Sequence, residues 1–241
     1  MGRKTIWMAA MAAVTVFLFA GSAIAADVIK VGHLADLTGP TGEVGKPYAQ
    51  GVQDYKDWVN ANGGINGKKI DMAMFDYAYN KDKAVNQYKK YKEDGVVAIQ
   101  GWGSGDTEAL SAMTGADKIP YISASYSAHL TDPKKSPYNF FCAADYTTAL
   151  RAGLNHLKAS WKQKRAPKLV FIYPNVPYGI APIKGGKEYA KELGFEVLGD
   201  EIVELKAIEA NSQMLSVKNK GADFGWIGGT TNSAAVIIKD A

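Results

Sequence analysis

Residues 101–110 read GWGSGDTEAL and follow the apolar run VVAIQ. Glycines at 101, 103 and 105, after a strand-like run and before a helix-like one, make a turn whose backbone can approach an anion closely. Phosphate is the first chemistry to test. The spacing G-x-G-x-G falls short of the dinucleotide fingerprint, and Asp106 and Glu108 lie in the first turn of the expected helix, where carboxylates offset its positive end and repel a pyrophosphate. Two other glycine stretches fail as well. GPTGEVGKP has Pro40 where a Walker loop needs glycine and Pro47 where it needs a hydroxyl; GGINGKKI has Asn62 and Lys69 at those places. What remains for the 101–106 turn is milder: Ser104, Thr107 and free amides suit a single carboxylate or amide. The plainer reading, a tight turn capped by Asp106, uses the same residues and is compatible with it.

Catalytic patterns are thin. His33 lies on a strand-like run, His156 within a helix-like one and His129 in a loop, so core or surface roles are expected for them. There is no HExxH pair and no metal-ligand spacing. Ser104 is not in a nucleophile elbow, because residue 102 is Trp. Asp36, Asp76, Asp106 and Asp145 sit at element ends, where capping needs carboxylates as much as acid–base work does. Neither a catalytic residue nor a metal or cofactor is expected. The aromatics say more: Trp102, Tyr126, Tyr178 and one of Tyr77 or Tyr79 fall in loops after strands and suit an apolar or planar ligand group. Trp58 and Trp161 read as packing or surface residues of helices.

The elements that must position these residues alternate. Strands are expected over 28–34, 69–76, 95–101, 119–125, 168–173, 196–203 and 222–228. Helices are expected over 46–62, 82–94, 106–113, 146–161, 181–194, 210–221 and 232–241. Tyr48, Val52, Tyr55 and Val59 make the inward stripe of the first helix, ended by Gly63 and Gly64; Val85, Tyr88 and Tyr91 make that of the second. The pattern loosens over 126–145 and restarts. This is an α/β chain: two Rossmann-like lobes with parallel sheets covered by helices and joined by a hinge near 142–146, residues 26–143 and 144–241. In such sheets ligands bind beyond the carboxyl ends of the strands, here the segments 35–46, 76–80, 101–106, 124–129, 174–179 and 228–232.

The first 25 residues have a basic start at Arg3 and Lys4, an apolar stretch from Ile6 to Ala20 and an A-x-A site at Ala23 and Ala25, the grammar of a cleaved secretory signal peptide. That leader carries two of the 28 basic residues, so the remainder is close to balance against 24 acidic ones. The one dense basic run, KQKRAPK at 162–168, reads as a solvated loop, and no nucleic-acid partner is expected. Cys142 is the single cysteine, which excludes an internal disulfide and a thiolate metal cluster.

With these residues in view, LTGPTGEVGKPYAQGVQDYKDWVNANGGINGKKI resembles the opening of type I periplasmic solute-binding proteins, the leucine/isoleucine/valine-binding group of bacterial ABC importers. FDYAYNKDKAV, GWGSGDTEAL, IPYISASYSAHLT and KLVFIYPNVPYG are similar to the segments that follow, in order. The resemblance implies two lobes closing on a small ligand. It implies Ser104 at the ligand carboxylate, Ser125 and Ser127 beside it, Tyr178 closing from the second lobe and Thr230 in a second-lobe loop. Trp102 and Tyr126 depart from the branched-chain pattern, and they imply a tighter, more aromatic pocket. It also implies a longer chain: the family's return to lobe one, and the acidic residue that meets an amino group, are expected beyond Ala241.

The expected function is therefore an extracytoplasmic, monomeric binding protein that gives a small solute, an apolar or branched-chain amino acid first, to an ABC transporter permease. Urea, short amides or aromatic acids on the same fold are the alternatives, and a secreted α/β hydrolase is the reading from another class. Cleavage after Ala25 is expected, so N-terminal sequencing of periplasmic material should begin Ala26–Asp27; membrane-retained protein with Arg3 intact would show that the leader reading is wrong.

Overall fold

In the computed structural model, residues 28–241 are described; the leader expected over 1–25 lies outside them. Apolar, β-branched runs and amphipathic runs separate into strands and crossover helices. β1 (Ile29–Ala35), β2 (Ile70–Asp76), β3 (Ala98–Gln100), β4 (Tyr121–Ile122) and β5 (Asn139–Phe140) form one parallel sheet in the order β2-β1-β3-β4-β5. Its connections are α1 (Gly42–Ala61), α2 (Lys81–Glu93), α3 (Ser104–Asp117) and a short 3-10 turn at Ala128–Thr131. β6 (Lys168–Tyr173), β7 (Glu196–Ile202) and β8 (Phe224–Ile227) form a second parallel sheet, β7-β6-β8, with α4 (Tyr146–Ser160) leading into it. α5 (Pro177–Ile180), α6 (Ile183–Glu192), α7 (Asn211–Asn219) and α8 (Thr231–Asp240) complete that half. Among the described residues no helix is long and apolar enough to cross a membrane.

The second sheet is covered on both faces. Along β6 Leu169, Phe171 and Tyr173 pack with Leu150, Leu154 and Ile183, while Val170 and Ile172 pack with Met214 and Ile237 on the other side. A strand apolar at every position is what two covered faces require. The first sheet buries one face against α2 and α3 through Leu34, Tyr88, Tyr91, Ile99, Leu110 and Tyr121. Its other face differs from the expectation of full cover. Beside α1 an apolar groove of about 440 Å³ runs past Val31, Val52, Met72 and Ile122, and Tyr55, at the centre of the expected inward stripe, is 66% exposed and stacks on Trp58.

Two boundaries also differ. Segment 126–145, without a clear period in the sequence, contains β5: two residues suffice because Tyr121 and Ser123 donate backbone bonds to Tyr138 and Phe140. The first helix begins at Gly42, before the expected Lys46, and runs through Pro47. Asp36 organises the turn ahead of it, accepting from the Gly39 and Thr41 amides at 2.7 and 2.9 Å and from the Thr41 hydroxyl at 2.6 Å. That turn presses the start of α1 onto the end of β1, and only glycine fits at 45, where a Cβ would stand 2.0 Å from the Asp36 carbonyl. Gly63 and Gly64, at φ of +100° and +76°, end α1 as expected.

Gly45→Ala should therefore cost about 1–3 kcal/mol in a urea unfolding experiment. Gly51→Ala, where a Cβ meets nothing within 4 Å on the same helix, should instead gain about 0.5–1 kcal/mol.

Candidate functional site

β1, β3, β4, β6 and β8 end toward a common crossing, and the segments after them line a cavity of about 430 Å³. Its walls are Thr41, Val44 and Tyr48 from the start of α1, Tyr79, the 102–104 turn, Ala124 and Tyr126, and then Tyr146, Tyr178 and the 229–231 segment from the other half of the chain. The apolar groove beside α1 is of similar size, but it lies along a sheet face and lacks convergent polar groups.

The floor is built on Asp106. α3 begins at Ser104 with Gly103 before it and no side-chain cap, so the expected N-cap role of Asp106 is corrected: it is the third helical residue. Its carboxylate is 2% exposed and accepts from the Tyr77 and Tyr121 hydroxyls at 2.7 and 2.9 Å. Burial raises its pKa to about 6 against the lowering effect of those hydroxyl bonds. Tyr77, a candidate for the cavity wall in the sequence, is instead fully buried below it, and its oxygen accepts from the Gly103 amide at 3.2 Å. The turn lies directly on these rings. A Cβ at Gly101 would stand 2.1 Å from the Tyr121 ring, and one at Gly103 would stand 2.6 Å from Asp106 Oδ1. Two of the three glycines that suggested a phosphate loop are thus required by close packing.

Trp102 projects from this turn into the cavity. Its indole N–H donates to Thr41 Oγ1 at 2.8 Å, and that hydroxyl donates to Asp36, so the ring plane is fixed from two residues away. Its centroid is 4.9 Å from Tyr48. Ser104 lines the cavity beside it. Ser125 and Ser127, expected beside the ligand, do not line the cavity: they are fully buried behind Ser104. Residues 123–127 alternate, so Ala124 and Tyr126 face the cavity while Ser123, Ser125 and Ser127 face the start of α3. There the hydroxyls satisfy one another, Ser104 to Ser125 at 2.7 Å, Ser125 to Ser127 and Ser127 to Ser104 at 3.3 Å. With Ser125 donating to Ser127 and Ser127 to Ser104, Ser104 closes the ring by donating to Ser125, and its proton turns toward a guest in exchange for that bond.

From the far side Tyr178 donates to the Gly229 carbonyl at 3.1 Å. Thr230 precedes α8, where its amide donates to Ser233 Oγ at 3.0 Å. Tyr126, Tyr146 and Tyr178 form a chain of edge-to-face rings with centroids 5.8 and 5.2 Å apart. Of the seven residues singled out in the sequence, five line the cavity: Trp102, Ser104, Tyr126, Tyr178 and Thr230. Thr41, Val44, Tyr48, Tyr79 and Tyr146 join them. Thr41, Val44 and Tyr79 sit in the post-strand segments, whereas Tyr48 was placed on a core stripe and Tyr146 on a helix. Burial holds the Tyr48 and Tyr178 hydroxyls at about 12 and raises those of Tyr79, Tyr126 and Tyr146 as well, so the wall is neutral.

The other titratable candidates are structural. His33 is fully buried against Tyr48, and burial lowers it to about 4, keeping the imidazole neutral. His129 pairs with Glu108 at 3.1 Å on the surface, and His156 is exposed. Asp76 accepts from the Leu37 amide and the Thr38 hydroxyl in the segment after β1, and Asp145 caps α4. Among the described residues no group of three metal-binding side chains occurs.

Because Asp106 is raised from 3.8 to about 6, its contribution to stability is full below pH 3.8 and is lost as pH rises through about 6. Asp106→Asn carries no such charge. Urea unfolding of both proteins between pH 4 and 7 should show the wild type losing on the order of 1–3 kcal/mol relative to the variant across that window; parallel profiles would place the carboxylate in an ordinary aqueous environment.

A family model described as periplasmic binding protein matches residues 28–241. A Leu/Ile/Val-binding protein homolog of Brucella suis biovar 1 is 27% identical over 217 residues, covering 86% of this chain and 53% of the relative. Among solved structures, an ABC transporter substrate-binding protein from Aeropyrum pernix aligns with a TM-score of 0.80 and 37% identity, covering 88% of this chain and 56% of that one. A fatty acid ABC transporter substrate-binding protein from Thermomonospora curvata aligns with a TM-score of 0.81 and 27% identity, covering 88% and 54%. The chain spans about half the length of the curated relatives it matches first.

Proposed function

The chain belongs to the periplasmic binding protein family, and on that premise we propose that it captures a small carboxylate- or amide-bearing solute between two lobes, residues 26–143 and 144–241, and delivers it to the permease of an ABC importer. It acts in the periplasm, as a monomer, without cofactor or catalysis. The observation that carries this reading is the cavity lined from both halves of the chain, with Ser104 and the first turn of α3 on one side and Tyr178 and Thr230 on the other. The named relatives support the solute class: one is called Leu/Ile/Val-binding and another fatty-acid-binding, and both kinds of solute place a carboxylate on an apolar body. An apolar, branched-chain amino acid is the solute the first of these names suggests. The geometry offers the hydrolase reading no support. The partners of Ser104 Oγ are other hydroxyls, Ser125 and Ser127, and a nucleophile needs a base beside it.

A carboxylate seated at the start of α3 takes a charge-assisted bond from Ser104, worth about 1.5–3 kcal/mol. Thermal stabilisation of the full-length protein across amino acids, amides and organic acids identifies the best solute. Titration calorimetry should then show Ser104→Ala binding it roughly ten- to a hundredfold more weakly, with the unliganded melt lowered only by the loss of its bonds to Ser125 and Ser127. Equal affinity in the variant would move the site away from this turn.

A further inference from the structure

Thr41 stands at the head of α1, in the N-cap position, where a threonine hydroxyl ordinarily accepts from an amide of the first helical turn. Its side chain makes no such bond. The Val44 and Gly45 amides donate to the Thr41 carbonyl instead, at 3.0 and 2.8 Å. The hydroxyl meets the indole of Trp102, a residue 61 positions further along the chain. We infer that Thr41 is a positioning residue of the cleft, its hydroxyl withdrawn from helix capping to hold the Trp102 ring as a fixed wall for the solute. The inference rests on the reading that this cleft holds a solute, and it names the residue that sets the shape of one wall.

The chemistry of the three groups leaves one direction for the relay. An indole N–H only donates, so Thr41 Oγ1 accepts from it, at 2.8 Å. The single hydroxyl proton then goes to Asp36 Oδ2, at 2.6 Å. That carboxylate is fully buried and also takes the Gly39 and Thr41 amides. Thr41 is thus tied to Asp36 through its backbone and its side chain together, and it is itself buried. The acceptor keeps its place and its orientation whatever the indole does.

The ring needs such a hold. Trp102 stands between Gly101 and Gly103, so no adjacent side chain walls it in. It packs on Tyr48, with centroids 4.9 Å apart, and it borders the cavity of about 430 Å³. A side chain beside open volume has more than one rotamer within reach. A bond to an anchored hydroxyl selects one of them. The chain forgoes a side-chain cap on α1 to make that bond, and local rules are broken in this way where function needs the group elsewhere.

The test uses the full-length protein as wild type, Thr41→Val, Thr41→Ser, Trp102→Phe and the double variant Thr41→Val with Trp102→Phe. Exchange of the Trp102 indole proton is followed by proton–nitrogen NMR, its peak being the one lost in Trp102→Phe. Thr41→Val should speed that exchange about fivefold, the worth of one neutral hydrogen bond, and Thr41→Ser should leave it slow. The Trp161 indole, bonded to the Arg165 carbonyl at 2.8 Å, should not change in either. Calorimetric titration with L-leucine, urea and benzoate reads the solute side. Whichever of them binds the wild type should bind Thr41→Val about fivefold more weakly and Thr41→Ser nearly as well as the wild type. In the Trp102→Phe background, Thr41→Val should cost nothing further. An indole that exchanges equally in wild type and Thr41→Val overturns the inference. An equal loss of affinity in both backgrounds overturns it too, since Thr41 then touches the solute or supports α1 directly, and the cleft stands as the site. Loss of cooperative melting in Thr41→Val, with Thr41→Ser intact, assigns the hydroxyl to the fold with the same consequence. Affinity that ignores every variant removes the cleft as the site as well. A cooperatively melting wild type that binds none of the three also defeats the inference, and silence across the wider solute panel then defeats the binding reading with it.

Discussion

A carboxylate that is almost entirely out of water holds the floor of the cleft. Asp106 could not stay there alone, since an unpaired buried charge costs several kcal/mol. Two tyrosine hydroxyls from β4 and from the segment after β2 make its place tolerable, and in doing so they bring three strand ends to one point. The glycine turn then has no freedom left: the rings that satisfy Asp106 occupy the space where side chains at 101 and 103 would stand. Trp102 and Ser104 are aimed by that arrangement. The same carboxylate, ionised above pH about 6 behind the first turn of α3, offsets the positive end of that helix and makes the turn a poor seat for a polyphosphate.

The two halves of the chain contribute unequal kinds of surface. The first supplies a rigid polar floor: the Asp36–Thr41–Trp102 relay on one side and the ring of serine hydroxyls on the other. The second supplies tyrosine edges and the opening turn of α8. A polar floor fixes one end of a guest, and an aromatic roof reads the shape of the remainder, the usual division of labour in small-molecule sites. For the capture and release proposed above, that division supplies one well-defined anchor and one surface that can part from it.

Much of this was legible in the chain. Strand and helix alternation depends on local apolar periods, and those periods stand in the sequence almost without interruption up to residue 125 and again from 146. The post-strand segments could be marked because sheet direction alone tells where they gather. What escaped depends on contacts distant in sequence. β5 is two residues long and exists because β4 offers it partners. Tyr77 and Tyr79 are two positions apart with similar neighbours, yet one goes beneath the floor and the other to the wall, since Asp106, 29 residues after Tyr77, claims the first hydroxyl. Tyr48 obeys the helical period, but so near the start of α1 the inward direction looks over the strand ends instead of onto the sheet. Ser125 and Ser127 lie one layer behind the cavity wall because the 123–127 segment alternates, a register that composition does not carry.

The row of tyrosine edges at the crossing has a bearing on tempo. Each edge-to-face pair is worth roughly 0.5–1.5 kcal/mol beyond its buried area, and Tyr126–Tyr146 is the pair that joins the two halves, so parting those rings forfeits about as much as one ordinary hydrogen bond. Tyr178 keeps its contacts with Tyr146 and Gly229, because all three residues belong to the same half and travel together. The entrance is thus a light door on a stiff frame. On the proposed reading such a door latches only when something sits behind it, so dwell time would belong to the guest.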